Sequence, residues 1–270
     1  MEKSQRLTLL TTSCKWYDDV LDIHEKLFSI HWKDCPYSRY LVMDEVSPEA
    51  EYLNNYDVVI TTGKQSGKKN QIRLTEALKK ISTPYVIFVQ EDMLLYDKVN
   101  TERIESLCDL VEKDRHVGAL RLLPYYGVQS SKAVQYRDRE DIIKYPKGIP
   151  YRVTYAPSIW DRNYLLELSQ KFEYAADFER KGSEMSNRMP YLMLGYKYVA
   201  YPYINGILRG KWEIPALRHL AYYKIVPDLA RHGAMTPTDL LRQSMMGYIF
   251  SINPNVILKL QNKFKIGKSY

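Results

Sequence analysis

The feature that most constrains the fold of this 270-residue chain is a continuous apolar run that ends abruptly in polar residues. Residues 85–89 read Tyr-Val-Ile-Phe-Val, and Gln90, Glu91 and Asp92 follow at once. An apolar strand without alternation is typical of a mostly parallel sheet that is covered on both faces. The run therefore predicts a buried central strand whose carboxylates lie where ligands gather in open α/β sheets.

Strand-like and helix-like patterns alternate around this run. Predicted strands cover residues 7–10, 39–43, 56–61, 85–89, 118–123 and 151–159, and a strand pair is predicted at 196–203 and 205–212. Predicted helices cover residues 20–31, 70–81, 102–113 and 163–171, with a short helix from 177 and a long loop or hairpin over 125–150. This order predicts an α/β fold with a mixed, mostly parallel central sheet flanked by helices.

Helical spacing returns at residues 216–225 and 239–248, which indicates a helical C-terminal appendage. We predict one domain over residues 1–214 and an extension over 215–270 that ends in a basic amphipathic tail. The tail begins near Pro254 and contains Val256, Ile257, Leu260 and Phe264 beside Lys259, Lys263, Lys265 and Lys268. It predicts reversible contact with an anionic membrane, although the same apolar stripe can pack on the domain instead.

The net charge of +7 favours partners that carry phosphate, but it does not choose among nucleic acid, an anionic membrane and a nucleotide diphosphate. No nucleic-acid motif accompanies the charge, so nucleic acid is not the expected partner. The chain has no run of 18 apolar residues and no signal-peptide core, which predicts a cytosolic protein at the inner face of the membrane if the tail binds lipid. Its three cysteines lack metal-binding spacing.

Glu91 and Asp92, the acid motif, are the strongest candidates for a metal site. Magnesium and manganese prefer oxygen ligands and commonly bridge one or two carboxylates to substrate phosphates. The alternative is that the two acids only terminate the strand and are solvated.

Residues 63–69, the basic loop, invite comparison with a phosphate-binding P-loop. Gly63 and Gly67 are one residue too close, and Lys69 stands where that motif requires Ser or Thr. The P-loop is therefore excluded, but Lys69 and Arg73 can still approach a diphosphate at the start of a helix. The alternative is a solvated charged loop.

A third group of residues combines an aromatic side chain with several acids. Trp160 is the predicted stacking platform for an acceptor, and Glu173 is predicted to bind it as well. Asp177 and Glu179 can supply the carboxylate that accepts a proton from an attacking hydroxyl. Each acid can instead be an exposed helix residue. No Ser-His-Asp arrangement can be assembled from the histidines, which excludes that hydrolase chemistry.

In this order of features the chain resembles the GT-A class of glycosyltransferases, in particular the small enzymes of bacterial capsule and lipopolysaccharide gene clusters. The resemblance spans about residues 7–212. It is carried by residues 7–13, the helix 70–81 with Arg73, Gln90-Glu91-Asp92, Pro157-Ser158-Ile159-Trp160, Asp177-Phe178-Glu179 and residues 206–212.

The resemblance implies a transferase that moves a sugar from a nucleotide donor to a glycan acceptor attached to a lipid carrier. It implies donor contacts from Thr11, Thr12 and Ser13 at the end of the first strand and from the helix before the acid motif. In the GT-A class an Asp-x-Asp motif holds metal and diphosphate. Here Gln90 takes the first acidic place, so either Mg or Mn binds at Asp92 with Glu91, or Lys and Arg side chains replace the metal.

The resemblance also places the catalytic base of inverting members at Glu179, with Asp177 as the reserve, and so favours inversion. Two competing hypotheses remain at this point. One is a catalytically inactive domain of the same class that binds a glycan or a partner enzyme, and the missing first Asp favours it. The other is a nucleic-acid binder, which the charge alone suggests.

Overall fold

The computed structural model describes residues 4–124 and 132–252, which form thirteen strands and seven helices. Strands β1 to β13 are Ser4–Thr12, Tyr37–Met43, Val58–Thr61, Tyr85–Gln90, Met93–Leu95, Val117–Arg121, Val134–Tyr136, Arg139–Tyr145, Ser158–Asp161, Leu192–Tyr196, Tyr203–Asn205, Ile207–Leu208 and Lys211–Trp212. Helices α1 to α7 are Asp18–His31, Asn70–Lys80, Thr101–Lys113, Arg162–Ser169, Ala175–Ser186, Ile214–Tyr222 and Pro237–Ile252.

Nine strands form one mixed sheet in the order β3-β2-β1-β4-β9-β6-β10-β8-β7. β3, β2, β1 and β4 are mutually parallel, and β9 lies antiparallel between β4 and β6. β10 is parallel to β6, and the antiparallel hairpin β7–β8 extends the sheet at that edge. The predicted mixed and mostly parallel sheet with flanking helices is confirmed, and β4 is an inner strand that is buried up to its last residue, Gln90.

The periodic segments were predicted closely. The helix predicted at 70–81 is α2, the helix at 102–113 is α3, and the strand at 85–89 is β4. In α3 the Asn100 side chain caps the first turn by accepting a hydrogen bond from the Arg103 amide at 2.9 Å, a contact that fixes where the helix starts. The predicted loop or hairpin at 125–150 contains β7 and β8, and residues 125–131 lie outside the described part of the chain.

The strand predicted over residues 151–159 is wrong, because only Ser158–Asp161 is a strand. Residues 153 and 155 direct their backbone amides at helix α5 instead of at a neighbouring strand. The Val153 amide donates to Ser183 Oγ and the Tyr155 amide donates to Glu179 Oε1, each at 3.0 Å. Side chains of α5 thus take the backbone donors that a sheet would have used.

The strand pair predicted at 196–203 and 205–212 is correct only in its second half. β12 and β13 form a hairpin whose turn residues, Arg209 and Gly210, both have positive φ. Residues 192–196 instead join the central sheet as β10, and Tyr203–Asn205 pairs antiparallel with β5 just beyond the acid motif.

A second, smaller core connects the far end of the chain to the first helix. Val20, Ile23 and Leu27 of α1 pack with Trp212 and Leu220, so α6 is anchored on the same body as the sheet. The predicted division at 214/215 remains a prediction. The tail predicted from Pro254 lies outside the described residues. No helix in the described ranges is long and apolar enough to cross a bilayer.

Candidate functional site

The sheet brings several strand ends to one edge. In register, Thr12 of β1 pairs with both Val42 of β2 and Gln90 of β4, so these three strands end at the same level. β6 runs in the same direction because β9 reverses between it and β4. The residues that end or directly follow these four strands are Ser13, Asp44, Glu91 and Arg121. This edge is the expected ligand position in an α/β sheet.

The acid motif lies at the centre of this edge and holds its protons more tightly than ordinary carboxyl groups do. Glu91 is only 7% exposed, and burial together with the Asp92 carboxylate raises its pKa, which the Arg73 guanidinium lowers only in part. Burial also raises the pKa of Asp92, and the Glu213 carboxylate raises it further. Within the described chain, no cation compensates these two acids fully, which suits a site that receives a positive charge from a ligand.

The backbone that carries the acid motif is fixed from two directions. The ring of His24 in α1 lies against the backbone of Glu91 and Met93, and its burial lowers the pKa of His24 to about 4, so the ring is neutral at pH 7. On the other side, the carbonyl of Asp92 accepts a hydrogen bond of 2.6 Å from the Gly206 amide. Helix α1 and the residue that follows β11 therefore both contact the backbone of the acid motif.

The two carboxylates differ only in part in their neighbours. Burial raises the pKa of Cys14 to about 11, Glu91 raises it further and Arg73 lowers it. Asp92 raises the pKa of Tyr203 in β11. Burial raises the pKa of Tyr17, which follows β1, and both carboxylates raise it further, so the two acids share that neighbour.

Arg73 holds the basic loop rather than projecting freely from α2. Its Nη1 donates to the carbonyls of Ser66 and Gly67, the latter at 2.8 Å, and its side chain is buried. A Cβ on Gly67 would lie 2.7 Å from Asp44 Oδ2, so the loop backbone passes close to the Asp44 carboxylate. Asp44 Oδ1 accepts the Lys15 amide at 2.6 Å, so Asp44 ties the ends of β1 and β2 to this loop.

The three predicted donor residues at the end of β1 differ in their surroundings. Thr11 is fully buried beside Tyr56, so its side chain lies in the core and not at the edge. Thr12 donates through Oγ1 to the Val89 carbonyl at 3.3 Å, which joins β1 to β4 next to the acid motif. Ser13 follows at the edge and is 1% exposed.

Lys69 and Glu173, predicted on opposite sides of the reaction, contact each other. Lys69 Nζ lies 3.1 Å from Glu173 Oε2, and the Gln71 amide donates to the Glu173 carbonyl at 3.1 Å. The pair lies at the first turn of α2, where it joins the basic loop to the segment before α5. Gln90, the third predicted donor residue of the central motif, is half-buried at the last position of β4.

Trp160 is not the exposed platform that was predicted. It is fully buried in β9, where its ring packs against Phe88, Tyr164 and Phe178. A strand in the middle of a sheet covered on both faces cannot present an aromatic ring to a ligand. The tryptophan exposed at this edge is Trp16, just after β1, with 60% of its surface accessible.

Glu179 is the better placed of the two base candidates. Its Oε1 accepts hydrogen bonds of 3.0 Å from the Thr154 hydroxyl and the Tyr155 amide, and among the described residues both of its bonds end on this oxygen. Burial raises the pKa of Glu179, and those two bonds and Arg121 lower it in part. Oε2 is therefore left to accept a proton.

Asp177, the reserve candidate, is held by cations of its own helix. Its carboxylate lies 3.2 Å from Lys181 Nζ and 4.0 Å from the Arg180 guanidinium. Two cations of its own helix thus engage the Asp177 carboxylate, whereas burial raises the pKa of Glu179, so Glu179 has the chemistry that a base needs.

Tyr203 is influenced electrostatically by both the acid motif and the base candidate, Glu179. Burial raises the pKa of its hydroxyl to about 12, the Asp92 and Glu179 carboxylates raise it as well, and Arg121 lowers it. One side chain thus lies within electrostatic range of the acid motif, of the base candidate and of Arg121. This convergence is the main finding at the site.

Four site residues escaped the sequence analysis. Asp44 and Arg121 end or follow buried strands, which is the signal that had revealed the acid motif, so they could have been found. Tyr203 and Glu213 carry no local signal. Pairing of β11 with β5 brings Tyr203 to the edge, and the Glu213 amide donates to the Gly206 carbonyl at 2.9 Å.

The predicted metal ligands form a pair and not a larger cluster. In residues 4–124 and 132–252 no group of three or more His, Cys, Asp or Glu side chains is arranged to hold a metal ion. Two carboxylates with raised pKa values nevertheless match the donor set through which Mg or Mn is held together with substrate phosphates.

No protein-family model matches the sequence, and no curated protein is detectably similar to it. Similar solved structures include Staphylococcus aureus TarS, with 14% identity over 73% of this chain and 36% of that chain, at a TM-score of 0.48. This chain thus spans about a third of TarS. A cytidylyltransferase from Leptospira borgpetersenii has 10% identity over 93% and 96% of the two chains, and a UDP-glucose pyrophosphorylase 10% over 83% and 99%, each with a TM-score of 0.47.

Proposed function

We propose that the chain is a glycosyltransferase that moves a sugar from a nucleotide-sugar donor to a glycan hydroxyl, with inversion at the anomeric carbon. The observation that carries the proposal is that the Asp92 and Glu179 carboxylates both raise the pKa of the Tyr203 hydroxyl, which Arg121 lowers. An acidic site for a cation and diphosphate then lies within electrostatic range of the same side chain as a carboxylate that can act as a base. Glycosyl transfer needs both groups on opposite sides of one anomeric carbon.

The donor nucleotide binds on the β1 and β2 side in this proposal. The basic loop, held by Arg73, forms one wall, and Asp44 offers a carboxylate at the end of β2. Lys69, at the start of α2, supplies positive charge for the diphosphate in this proposal. The donor sugar then extends towards Asp92.

The acceptor enters from the β6 and β11 side. Its hydroxyl oxygen attacks the anomeric carbon while its proton passes to Glu179 Oε2, and the bond from the anomeric carbon to the phosphate oxygen breaks. The nucleoside diphosphate leaves with that electron pair. Thr154 and the Tyr155 amide hold Glu179 in place through Oε1, so the proton-accepting oxygen needs no reorientation.

Asp92 and Glu91 are the residues that would hold Mg or Mn. A divalent cation bound there supplies charge neutralisation of the leaving diphosphate. With no cation, two carboxylates at this position would repel the diphosphate instead. Gln90 in the first acidic place leaves the cation with only two protein carboxylates, so we expect its affinity to depend on the nucleotide.

The test is a donor screen that reads binding and turnover separately. Trp16 is exposed next to the donor side, whereas Trp32, Trp160 and Trp212 are at most 1% exposed, so nucleotide titrations can be followed by its fluorescence. UDP, GDP, CDP and TDP are titrated with and without Mn, with Trp16→Phe as the control for the signal. Donor-sugar hydrolysis and transfer are then measured with the nucleotide that binds.

Nucleotide binding without any hydrolysis or transfer would favour the catalytically inactive binding module. Binding of none of the four nucleotides would remove the proposal altogether. Capsule or lipopolysaccharide synthesis as the setting is part of the same proposal, and acceptor glycans from those polymers are the first to be tried.

A further inference from the structure

Residues 228–235, the clasp, follow helix α6 and return the chain to the start of α1. Arg231 Nη1 donates to Asp18 Oδ1 at 2.8 Å, which attaches the clasp to the first turn of α1. On the other side, the Trp212 amide donates to the Gly233 carbonyl at 2.8 Å. The clasp is therefore held at two points, helix α1 and strand β13.

His232 is the buried residue of the clasp. Its side chain is 1% exposed, and its Nε2 lies 3.2 Å from Asp19 Oδ1. The imidazole also stacks on the Tyr17 ring, with 5.0 Å between the ring centroids and 19° between the planes. No local pattern indicates these contacts, because 213 residues separate His232 from Asp19. One histidine thus contacts both an acid of α1 and the aromatic ring that precedes the helix.

Tyr17 lies at the same edge of the sheet as the acid motif. It ends the short 3-10 turn Lys15–Tyr17 just after β1, and Thr12, the last residue of β1, pairs with Gln90 of β4. Burial raises the pKa of Tyr17 to about 12, and both carboxylates of the acid motif raise it further. Its hydroxyl is thus within electrostatic range of the two acids.

The Tyr17 hydroxyl is available to a ligand. Tyr17 is half-buried, and among the described residues its hydroxyl has no hydrogen-bond partner. A tyrosine hydroxyl keeps its proton at neutral pH and can donate it in a hydrogen bond to an anionic group. In glycosyl transfer the negative charge develops on the phosphate oxygen that leaves the anomeric carbon, and a fixed donor directed at that oxygen lowers the barrier.

We propose that Tyr17 donates a hydrogen bond to the second phosphate of the donor and that His232 is the positioning residue that holds Tyr17 there. The ligand class is a nucleoside diphosphate, which rests on the proposed function, but its binding does not require turnover. The Tyr17 hydroxyl keeps its proton throughout, and the proton of the acceptor still passes to Glu179. The donor side then includes the clasp, which lies within the predicted C-terminal extension.

The probes are nucleotides that differ by one phosphate. Titration calorimetry measures the binding of UDP, GDP, CDP and TDP to the full-length protein with Mn, and of UMP, GMP, CMP and TMP under the same conditions. Only the diphosphates contain the second phosphate. A contact with that phosphate therefore affects one set of affinities and leaves the other unchanged.

The variants separate the hydroxyl, the ring stack and the polar contact. Tyr17→Phe removes the hydroxyl and keeps the ring. His232→Gln removes the stacked ring and keeps a polar group near Asp19, whereas His232→Phe keeps a ring and loses the contact to Asp19. Tyr223→Phe is the matched control, because Tyr223 also packs on a histidine, His219, with 5.0 Å between the ring centroids. Thermal unfolding checks that each variant is folded.

We expect Tyr17→Phe to bind the diphosphate about tenfold more weakly and the monophosphate as the wild type does, because a hydrogen bond to a charged group is lost. His232→Gln should show the same selective loss, and His232→Phe should retain most of the affinity. The double variant Tyr17→Phe, His232→Gln should lose no more than either single variant, since both act through one hydrogen bond. Tyr223→Phe should bind both nucleotides as the wild type does.

Equal diphosphate affinity of Tyr17→Phe and the wild type would overturn the role of Tyr17 and leave the proposed function standing. Equal losses for both classes of nucleotide in His232→Gln, or losses that add in the double variant, would overturn the role of His232 as a positioning residue. Binding of none of the four diphosphates by the wild type would overturn both proposals. Selective loss of diphosphate binding in an enzyme that neither hydrolyses nor transfers the sugar supports this inference and counts against the glycosyltransferase alone.

Discussion

Two buried acids of this protein have opposite surroundings. Glu25, which is 2% exposed, accepts Arg39 Nη2 at 2.7 and 2.9 Å and the Tyr56 hydroxyl at 2.6 Å. Glu91, at 7% exposed, has Asp92 as its neighbour and a pKa that burial raises. Glu25 belongs to α1 and Glu91 lies beside α1, and both side chains are buried, so the two acids do not differ in burial.

The difference shows how to separate structure from function among buried charges. Arg39 is also held over the Phe28 ring at 3.7 Å, so the Glu25–Arg39 ion pair is complete without any ligand. The acid motif is incomplete, and it costs stability until something positive binds. Buried charges that are paired within the fold indicate architecture, and those that are not indicate a ligand.

The largest effect that this comparison predicts is on turnover at Glu179. Glu179→Gln removes the proton acceptor and keeps its shape, so kcat should fall by about 10²- to 10⁴-fold with little change in donor affinity. Because burial raises the pKa of Glu179, wild-type kcat should rise with pH through a midpoint above the ordinary glutamate value, and the variant should lose this dependence.

Glu184→Gln is the matched control, since Glu184 is exposed on the same helix. Asp177→Asn should have a small effect on kcat. If Asp177→Asn abolished turnover and Glu179→Gln did not, the roles of the two acids would be reversed.

The next effect in size is at Asp92. Asp92→Asn keeps the shape of the acid motif but removes the charge that faces the cation and diphosphate, and transfer should drop by about 10²- to 10³-fold. The fold should remain intact, because Asp92 forms no ion pair with any of the described residues. Asp97→Asn, an exposed acid after β5, serves as the control. Full activity of Asp92→Asn in the presence of Mn would remove the donor-site assignment.

For the paired acid, Glu25, we expect loss of its cation to lower stability and not catalytic activity. Arg39→Met leaves Glu25 buried without its cation, which should lower the free energy of unfolding by about 3–5 kcal/mol, measured by urea denaturation. The exposed pair Lys26–Asp22, at 2.6 Å on the same helix, is the comparison. Lys26→Met should cost less than about 1 kcal/mol. Equal losses for the two variants would show that burial of the ion pair is not what matters.

The sequence predicted the parts of this molecule that repeat with a period and missed those that depend on contacts between distant segments. The run at 85–89 and the helix at 70–81 were found because hydrophobic spacing alone specifies them. The strand predicted at 151–159 failed because Ser183 and Glu179 bind its backbone amides, an arrangement that no local pattern records. The prediction for Trp160 was wrong because the sequence pattern around an aromatic residue does not distinguish a buried position in the core from an exposed binding surface.

The candidate site shows the same division. Glu91 and Asp92 were visible because they interrupt an apolar strand, and Asp44 and Arg121 follow that rule as well. Tyr203 joins the site only because β11 pairs with β5, with more than a hundred residues between them in the chain. Predicting Tyr203 would have required the fold first.

The last effect is a gain in stability at the acid motif, and it tests the comparison most directly. The raised pKa of Glu91 means that the folded state holds its proton to higher pH than the unfolded state does. Stability is therefore greatest below the ordinary glutamate pKa and is lost as pH rises through the raised value. Glu91→Gln cannot ionise, so its free energy of unfolding should exceed that of the wild type by an amount that grows over this range, about 1.4 kcal/mol for each unit of raised pKa. Urea denaturation at pH 5 and pH 8 measures the difference.

Mn should stabilise the wild type at pH 8 and have little effect on the variant, because a cation that binds only the folded acid motif offsets its repulsion. Destabilisation of Glu91→Gln at pH 8 would mean that Glu91 is charged and paired within the fold, as Glu25 is, and the distinction between the two acids would not hold.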